Sequence, residues 1–353
     1  MDKLLDKVKE NEILSIDDWI EIAERAPSAG LFQLADAIRC SKHPGRCVTY
    51  VVDRNINYTN ICASGCAFCA FYRRSIEEGG YLLSHEQICR KVEDTLKLGG
   101  SGILLQGGLN PAIPLSYFED LLCSLKRKYQ IYLHCFSPPE IHFYARLYHL
   151  SIREFLIRLR EAGLDSIPGG GAEILDDTLR GRLSNKGSTA EWLEVMRTAH
   201  LLNLPTTATM VLGLGEDTRQ RFLHLERIKN LQDETGGFLS FIPWTFQPRH
   251  TVLGQHVAEA IQGEPYLRWM ALSRIFLRNI PHVQVSRLTQ GMETARLGLH
   301  CGADDIGSIM IEENVVAAAG AVHQADEQAL REAVFQEGFI PFRRNAGYVR
   351  LEN

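Results

Sequence analysis

Short β-type segments alternate with longer helical segments along most of this chain, and this alternation restricts its fold more than any other feature. The β-type segments are rich in β-branched and aromatic residues. They are Thr49–Asn57, Gly102–Gln106, Ile131–Cys135, Leu164–Pro168, Thr206–Leu212, Phe238–Pro243, His282–Leu288 and Gly307–Ile311. Eight strands, each followed by a helical segment, predict parallel βαβ units.

The helical segments between the strands carry recognisable start signals. Ser84 is placed to cap a helix over residues 85–100, which ends on a glycine pair suited to a helix C-terminus. Residues 16–41 predict a helical hairpin before the first strand. The other predicted helices are Pro114–Tyr129, Ser151–Ala162, Thr189–Leu202, Asp217–Thr235, Pro265–Asn279, Met292–His300 and Ala325–Gly338.

Eight such units in about 300 residues favour an α/β fold of the closed (β/α)8 TIM-type barrel class. An open doubly wound sheet is the alternative. The barrel is preferred because polar and glycine-rich clusters recur just after the strands, where the mouth of a barrel carries its active site. We therefore expect an N-terminal helical extension over residues 1–46 and a barrel with a C-terminal extension over residues 47–353.

Charge and hydropathy exclude several classes of function. The net charge is −5 and no basic run is present, so no nucleic-acid partner is expected. The first fifteen residues are charged and lack the apolar segment of a signal peptide. No stretch reaches 18 apolar residues, so no membrane partner is expected and the predicted location is the cytoplasm. Nine cysteines are an odd number, which does not favour a disulfide framework.

Three of those cysteines, Cys62, Cys66 and Cys69, fall within eight positions directly after the first predicted strand. Thiolates spaced so closely can converge on one metal centre. A structural zinc site and an ordinary iron–sulfur site each use four protein ligands. Three ligands on a four-iron cube leave one iron open to a substrate or cofactor. A zinc site, a redox-active thiol pair and three unrelated buried cysteines are the alternatives.

The spacing Cys-x3-Cys-x2-Cys, with Phe68 just before the third cysteine, resembles the signature of the radical S-adenosylmethionine (SAM) superfamily. The resemblance implies that Cys62, Cys66 and Cys69 hold a [4Fe–4S] cluster whose open iron binds SAM. It also implies reductive cleavage of SAM to a 5′-deoxyadenosyl radical. An electron donor such as flavodoxin or ferredoxin would supply the electron.

The segment "QGGLNP" follows the second predicted strand and contains Gln106, Gly107 and Gly108. Paired glycines allow a ligand to approach the backbone closely. The segment resembles the Gly-Gly segment of the superfamily, whose main chain meets the methionine amino group of SAM. An ordinary tight turn is the alternative.

The segment "PGGGAEIL" follows the fourth predicted strand. The resemblance implies that Gly170 allows close approach of SAM and that Glu173 accepts hydrogen bonds from its ribose hydroxyls. Arg180 and Lys186 lie downstream, where either side chain could pair with the methionine carboxylate. A surface glutamate at a helix N-terminus and two solvated cations are the alternatives.

Longer segments, including "DRNINYTN", "LHCFSPPEI", "FIPWTFQP" and "IEENVVAAAGA", resemble the cyclic dehypoxanthinyl futalosine synthase family of menaquinone biosynthesis. This resemblance implies cyclisation of dehypoxanthine futalosine after hydrogen abstraction from its sugar. Aminofutalosine synthase and the radical subunits of deazaflavin synthesis are similar and remain alternatives, as does a non-enzymatic iron–sulfur electron carrier. Three departures lie in the second half of the chain: "GLGE" after Met210, Arg287 in "VSRLTQG", and "GADD" at residues 302–305.

The implied reaction requires a cation near the benzoate, hydrogen-bonding groups for the sugar, an apolar wall for the ring, and a base. We select candidate residues for these roles by their position just after the predicted strands. For each candidate residue, a purely structural role is the alternative. The substrate-binding candidates are Arg54, Arg73, Gln247 and Arg287, with Trp244 and Phe246 as the apolar wall. The candidate bases are Glu216 and Asp305.

Overall fold

The computed structural model describes residues 2–257, 259–321 and 325–351, within which nine β-strands lie between helices. The strands are β1 Cys47–Val51, β2 Asp53–Asn57, β3 Gly102–Gln106, β4 Tyr132–Cys135, β5 Thr206–Leu212, β6 Phe238–Thr245, β7 His282–Val283, β8 Asp305–Ser308 and β9 Ile340–Arg344.

The described α-helices mostly connect one strand to the next. They are α1 Asp2–Lys9, α2 Ile16–Arg25, α3 Ser28–Lys42, α4 His85–Lys97, α5 Leu115–Lys128, α6 Pro138–Leu147, α7 Ile152–Ala162, α8 Asp177–Leu183, α9 Thr189–Leu201, α10 Thr218–Thr235, α11 Glu264–Phe276, α12 Arg287–Gly298, α13 Val315–Ala318 and α14 Glu327–Gln336. The predicted cap of α4 is confirmed: Ser84 and Gln87 form a reciprocal capping box.

The strands form three parallel three-stranded sheets with the orders β8–β1–β9, β2–β3–β4 and β5–β6–β7. Isolated parallel bridges extend these sheets. Ser166 bridges His134 of β4, Ile167 bridges Thr206 of β5, and Gln284 bridges Asp305 of β8. The helices pack around the strands, and the result is a TIM-barrel-type α/β fold.

Three predicted strands differ from the structure for identifiable reasons. The first is divided into β1 and β2, because β9 pairs with β1 whereas β3 pairs with β2. The fourth is reduced to the two bridges at Ser166 and Ile167, since Pro168 has no N–H to extend a ladder. The seventh is shortened to His282–Val283, and residues from Arg287 onward begin α12.

The last predicted strand is displaced, and a ninth strand was not predicted. β8 ends at Ser308, because Gly307 has a positive φ of 83° that bends the chain. Beyond β8, Ile309 N–H donates to Val51 at the end of β1, and Ile311 N–H donates to Asp53 at the start of β2. β9 contains a proline and two arginines, so its sequence is atypical of a strand.

Candidate active site

The three-cysteine loop follows β2 and is held by backbone hydrogen bonds to its own end and to two other segments. Cys62 N–H donates to Arg73, Ala63 N–H donates to Leu109, and Ala67 N–H donates to Leu183. Arg73, predicted to bind substrate, instead donates from one guanidinium nitrogen to the carbonyls of residues 70, 71 and 72. Its observed role is therefore to fold the end of this loop.

The three thiols line one cavity of about 250 Å³ at the carboxyl ends of β2 and β3. Ser64 Oγ lies 3.1 Å from Cys66 Sγ, which fixes the orientation of that side chain. Burial raises the pKa of the Cys62 and Cys69 thiols above the ordinary value. Metal coordination requires the thiolate, so this pocket favours a strongly bound cation over free ionised cysteines.

The three sulfurs are not arranged as the ligands of a single tetrahedral ion. A tetrahedral zinc ion with Zn–S bonds of about 2.3 Å holds its sulfurs roughly 3.8 Å apart. Among the described residues, the one trio of histidine, cysteine or acidic ligand atoms that all lie within 4.8 Å of one another is His43, His282 and Asp304. The three cysteines share a cavity without meeting that limit, so their sulfurs are not grouped closely enough for one zinc ion.

Gly107 and Gly108 line the same cavity, and both are packed against protein atoms. A Cβ on Gly108 would lie 2.2 Å from the Ile61 carbonyl oxygen and 2.8 Å from Cys62 Cβ. A Cβ on Gly107 would lie 2.6 Å from the ring of Tyr58. These glycines therefore allow the β3 loop to approach the cysteine loop, and the space for a ligand lies beside both.

Glu140, which sequence reasoning missed, positions this glycine loop. The side chain is buried at the start of α6 and accepts hydrogen bonds from Gly107 N–H at 3.0 Å and from Tyr58 Oη at 2.6 Å. Its other oxygen accepts from Ser137. Burial raises the pKa of Glu140 to about 7 despite these donors. The only sequence signal was the segment "SPPE", which also fits an ordinary helix start.

Glu173 and Lys186 form a buried ion pair on the opposite wall of the cavity. Lys186 Nζ lies 2.6 Å from Glu173 Oε1 and 4.8 Å from the centre of the Phe68 ring. Although burial opposes it, the Glu173 charge raises the pKa of Lys186. Arg180 does not line the cavity, because its guanidinium donates to the carbonyls of Gly171, Ala172 and Gly187. Arg180 thus supports the glycine loop from behind.

A second cavity, of about 340 Å³, is lined by residues from all three sheets. We call this space the lumen. The lumen and the cysteine cavity are adjacent, because five residues line both of them: Gln106, Gly170, Gly171, Glu173 and Val315. A group bound beside the cysteines would therefore face a group bound in the lumen.

The predicted substrate-binding residues divide into two sets. Trp244 and Arg287 line the lumen. Arg54 lies outside it and donates to Glu312 at 3.1 Å. Phe246 is buried in the main hydrophobic core, and Gln247 Nε2 donates to Thr245. Arg54, Phe246 and Gln247 therefore have structural partners where substrate contacts were predicted.

The structure does not support either predicted base. Glu216 accepts hydrogen bonds from Gly213 N–H, Leu214 N–H and Arg221, and it lines neither cavity. Asp305 is fully buried and accepts from Thr49, Gly307 N–H and Arg344. The acceptor positions of both carboxylates are taken.

Sequence reasoning missed a row of polar side chains on β2. Asp53 and Asn55 line the lumen, and Asn57 lines the cysteine cavity. Alternate residues of a strand face the same side, so the pattern in "DRNIN" was the available signal. The C-terminal segment also contributes Arg344 and Tyr348 to the lumen.

His43, His282 and Asp304 lie at the amino ends of the strands, away from both cavities. Asp304 accepts from His282 Nδ1 at 2.5 Å, and also from Arg274. Two buried or half-buried cations, Arg274 and Lys42, influence this cluster. The guanidinium of Arg274 already neutralises the carboxylate, so the cluster fits an ion-pair network better than a metal site.

Comparison with known protein families matches two parts of the chain. The profile described as the Radical SAM superfamily matches residues 56–228, and the profile described as the CofH/MqnC C-terminal region matches residues 235–353. No helix among the described residues has the length and apolar character needed to cross a membrane.

Individual relatives match nearly the whole chain. Cyclic dehypoxanthine futalosine synthase of Halalkalibacterium halodurans is 41% identical, over 99% of this chain and 94% of that protein. Aminodeoxyfutalosine synthase of Thermus thermophilus is 36% identical, over 98% of this chain and 94% of that protein. The crystal structure of methylornithine synthase shares the fold with a TM-score of 0.75 at 19% identity, covering 96% of this chain and 97% of that one.

Proposed function

The chain belongs to the radical SAM superfamily, in the group that shares the CofH/MqnC C-terminal region, and we propose that it cyclises dehypoxanthine futalosine. It is a radical SAM enzyme. The geometric observation that carries the proposal is that the cysteine cavity and the lumen are adjacent and share five lining residues. A radical formed beside the cysteines can then reach a substrate without crossing bulk water.

Enzymes of this superfamily use a [4Fe–4S] cluster and SAM, which when bound supply the 5′-deoxyadenosyl radical that takes a hydrogen atom from the substrate. We assign Cys62, Cys66 and Cys69 as the cluster ligands. Their common cavity, their burial and the absence of a fourth cysteine among its lining residues support the assignment. These side chains hold the cofactor, and the surrounding loops exclude water.

The SAM-binding residues follow from the walls of the same cavity. Glu173 is placed to accept hydrogen bonds from ribose hydroxyls, and Lys186 beside it would pair with the methionine carboxylate. Gln106, Gly107, Gly108 and Gly170 offer the backbone and amide edges of the opposite wall, and Phe68 offers an apolar face. Arg180 holds the Gly171–Ala172 backbone. Its role is therefore positioning.

In the lumen, we assign Trp244 as the flat wall for the substrate arene and Arg287 as the cation facing its carboxylate. Arg287 is buried, and burial lowers the pKa of its guanidinium. Guanidinium groups bind carboxylates through two parallel donors. The remaining lining is largely apolar, which suits a folded, ring-bearing substrate.

The strand pairings suggest one closed (β/α)8 barrel, which we propose as the finer description of the fold. Bridges at residues 166–167 and at Gln284 join the sheets in sequence order, and residues 309–311 run beside β1 and β2. In this description residues 1–46 form an N-terminal helical extension, and residues 47–353 form the barrel with its C-terminal extension. A cytoplasmic location and a flavodoxin- or ferredoxin-type electron donor complete the proposal.

A side-by-side anaerobic assay tests the function. We expect reduced, cluster-loaded protein to convert dehypoxanthine futalosine to a product lighter by two hydrogens, with 5′-deoxyadenosine formed alongside. The comparison substrate is the purine-bearing enol ether used by an aminofutalosine synthase. Turnover of that compound alone would reject the cyclase and favour the addition reaction.

A further inference from the structure

We propose that Asp53 is the proton acceptor that restores aromaticity after ring closure in the lumen. The inference rests on the proposed cyclase function. It replaces Glu216 and Asp305 in the role of base with a carboxylate that lines the lumen.

Asp53 combines burial with an open acceptor atom. Its residue is 7% exposed and lines the lumen on β2. Oδ1 accepts a hydrogen bond from Ser308 Oγ, and no described residue donates to Oδ2. No cation lies within ion-pair distance of this carboxylate among the described residues. One oxygen is thus held in place while the other faces the substrate space.

The electrostatic surroundings suit a base. Burial raises the pKa of Asp53, and Asp305 raises it further, whereas Ser308 and Arg344 lower it. Arg344 donates to Asp305 and so neutralises that carboxylate first. A raised pKa makes the carboxylate a stronger proton acceptor at neutral pH.

The other proton acceptors that line the lumen are committed elsewhere. Burial lowers the pKa of His134 to about 3, and its Nδ1 lies 2.6 Å from Ser166 Oγ. Glu173 is paired with Lys186. Glu313 accepts from the backbone N–H groups that begin α13. Among the described carboxylates that line the lumen, Asp53 is therefore the one with an oxygen atom that accepts no hydrogen bond.

The proposed step balances as follows. Attack of the sugar-centred radical on the arene forms one carbon–carbon bond and leaves a ring-closed cyclohexadienyl radical. Its ring carbon then loses a C–H proton to Asp53 Oδ2. The remaining electron passes to a one-electron acceptor of the iron–sulfur class, and the arene is restored.

Asp53→Asn tests the step, because the amide keeps the shape and can still accept from Ser308. We expect 5′-deoxyadenosine to form, while the cyclised product falls about 100-fold. With dithionite as reductant, the longer-lived ring-closed radical takes up an electron and a proton. It then appears as a ring-closed isomer with the mass of the substrate. Substrate affinity of the unreduced holoenzyme, measured by calorimetry, should change less than about threefold.

Asp120→Asn on the outer face of α5 is the matched control and should behave as wild type. If Asp53→Asn forms the cyclised product at the wild-type rate, or loses substrate affinity in proportion to product, the role is overturned. Failure of the wild-type protein to convert the substrate would instead reject the proposed function, so the two failures are distinguishable.

Ser308→Ala provides a second test that does not remove the carboxylate. Ser308 Oγ lowers the pKa of Asp53, so its loss should move the acid limb of cyclised-product formation to higher pH. Formation of 5′-deoxyadenosine should keep its wild-type pH profile. An unshifted acid limb would contradict the assignment.

Discussion

Asp53 and Asp304 are both buried aspartates in the strand region, and they have opposite surroundings. Asp304, just before β8, accepts from Arg274, from His282 and from Val283 N–H. Asp53, on β2, accepts from one hydroxyl and faces the lumen. Although burial alone would raise it, Arg274 and His282 lower the pKa of Asp304, whereas burial raises that of Asp53.

The same contrast, between neutralised charges and polar groups that face a cavity, distinguishes two regions of the molecule. At the amino ends of the strands, charges are neutralised by neighbours, as stability requires of a buried ion. At the carboxyl ends, the cysteines and the glycine loops line a cavity, and Asp53, the first residue of β2, has an acceptor atom without a described donor in the lumen. Polar groups left open in a cavity cost stability and persist where a ligand completes them.

The largest expected effect concerns the cysteine cavity. Cys66→Ala should lose most bound iron and all detectable SAM cleavage, because the [4Fe–4S] cluster has only three cysteine ligands and no other described cysteine lines the cavity to replace one. Iron analysis and the visible spectrum after anaerobic reconstitution measure this. Cys123→Ala on α5 is the matched control and should retain iron. Full iron and activity in Cys66→Ala would contradict the assigned ligands.

Asp304→Asn should destabilise the protein by about 3–5 kcal/mol, because it leaves the buried charge of Arg274 uncompensated. Denaturant unfolding of the holoenzyme measures the change, with the exposed Asp120→Asn as the control. A loss below about 1 kcal/mol would show that the network is not stabilising.

The same pair makes a pH prediction. The pKa of Asp304 is lower in the folded protein than in the unfolded chain, where it is about 4. The ionised Asp304 therefore contributes fully to the free energy of unfolding above about pH 4, and this contribution is lost as the pH falls below that value. The wild-type protein should therefore lose stability on acidification below about pH 4 more steeply than Asp304→Asn does. Unfolding curves measured across this range check the slope.

Glu173→Gln should weaken SAM binding roughly 10- to 100-fold, corresponding to about 1.5–3 kcal/mol for a charged hydrogen bond. Equilibrium binding of SAM to the reconstituted, unreduced protein measures it. Glu161→Gln, on the exposed face of α7, is the control. An unchanged dissociation constant for SAM would remove Glu173 from the site.

The smallest effect sharpens the comparison between the two aspartates. Asp53→Asn should leave the free energy of unfolding unchanged or raise it by about 1 kcal/mol, since a charge whose pKa is raised by burial opposes folding at neutral pH. Denaturant unfolding beside Asp304→Asn gives the contrast. Strong destabilisation by Asp53→Asn would place Asp53 in a structural network like that of Asp304.

Sequence alone was sufficient where the signal is local. β5 was predicted at its exact bounds, Thr206–Leu212, because its alternation and its flanking turn residues lie within a few positions. The Ser84 cap and the spacing of the three cysteines are local in the same sense. The resemblance to the radical SAM superfamily, carried by that spacing, is confirmed.

Only the tertiary structure decided which side chains are free to act. Arg73, Glu216 and Asp305 have side chains suited to catalysis, but each is held by hydrogen bonds within the protein. Arg73 donates to carbonyls of its own loop, Glu216 accepts from Arg221 at the start of α10, and Asp305 accepts from Arg344 of β9. In the sequence, nothing distinguishes Asp53 from any other strand residue, and only the tertiary packing shows that it lines the lumen. Reactivity here depends on desolvation and on which hydrogen bonds remain unmade. For Asp53 and Asp305 these are set by residues distant in sequence, whereas the partners of Arg73 and Glu216 lie within five positions in the chain.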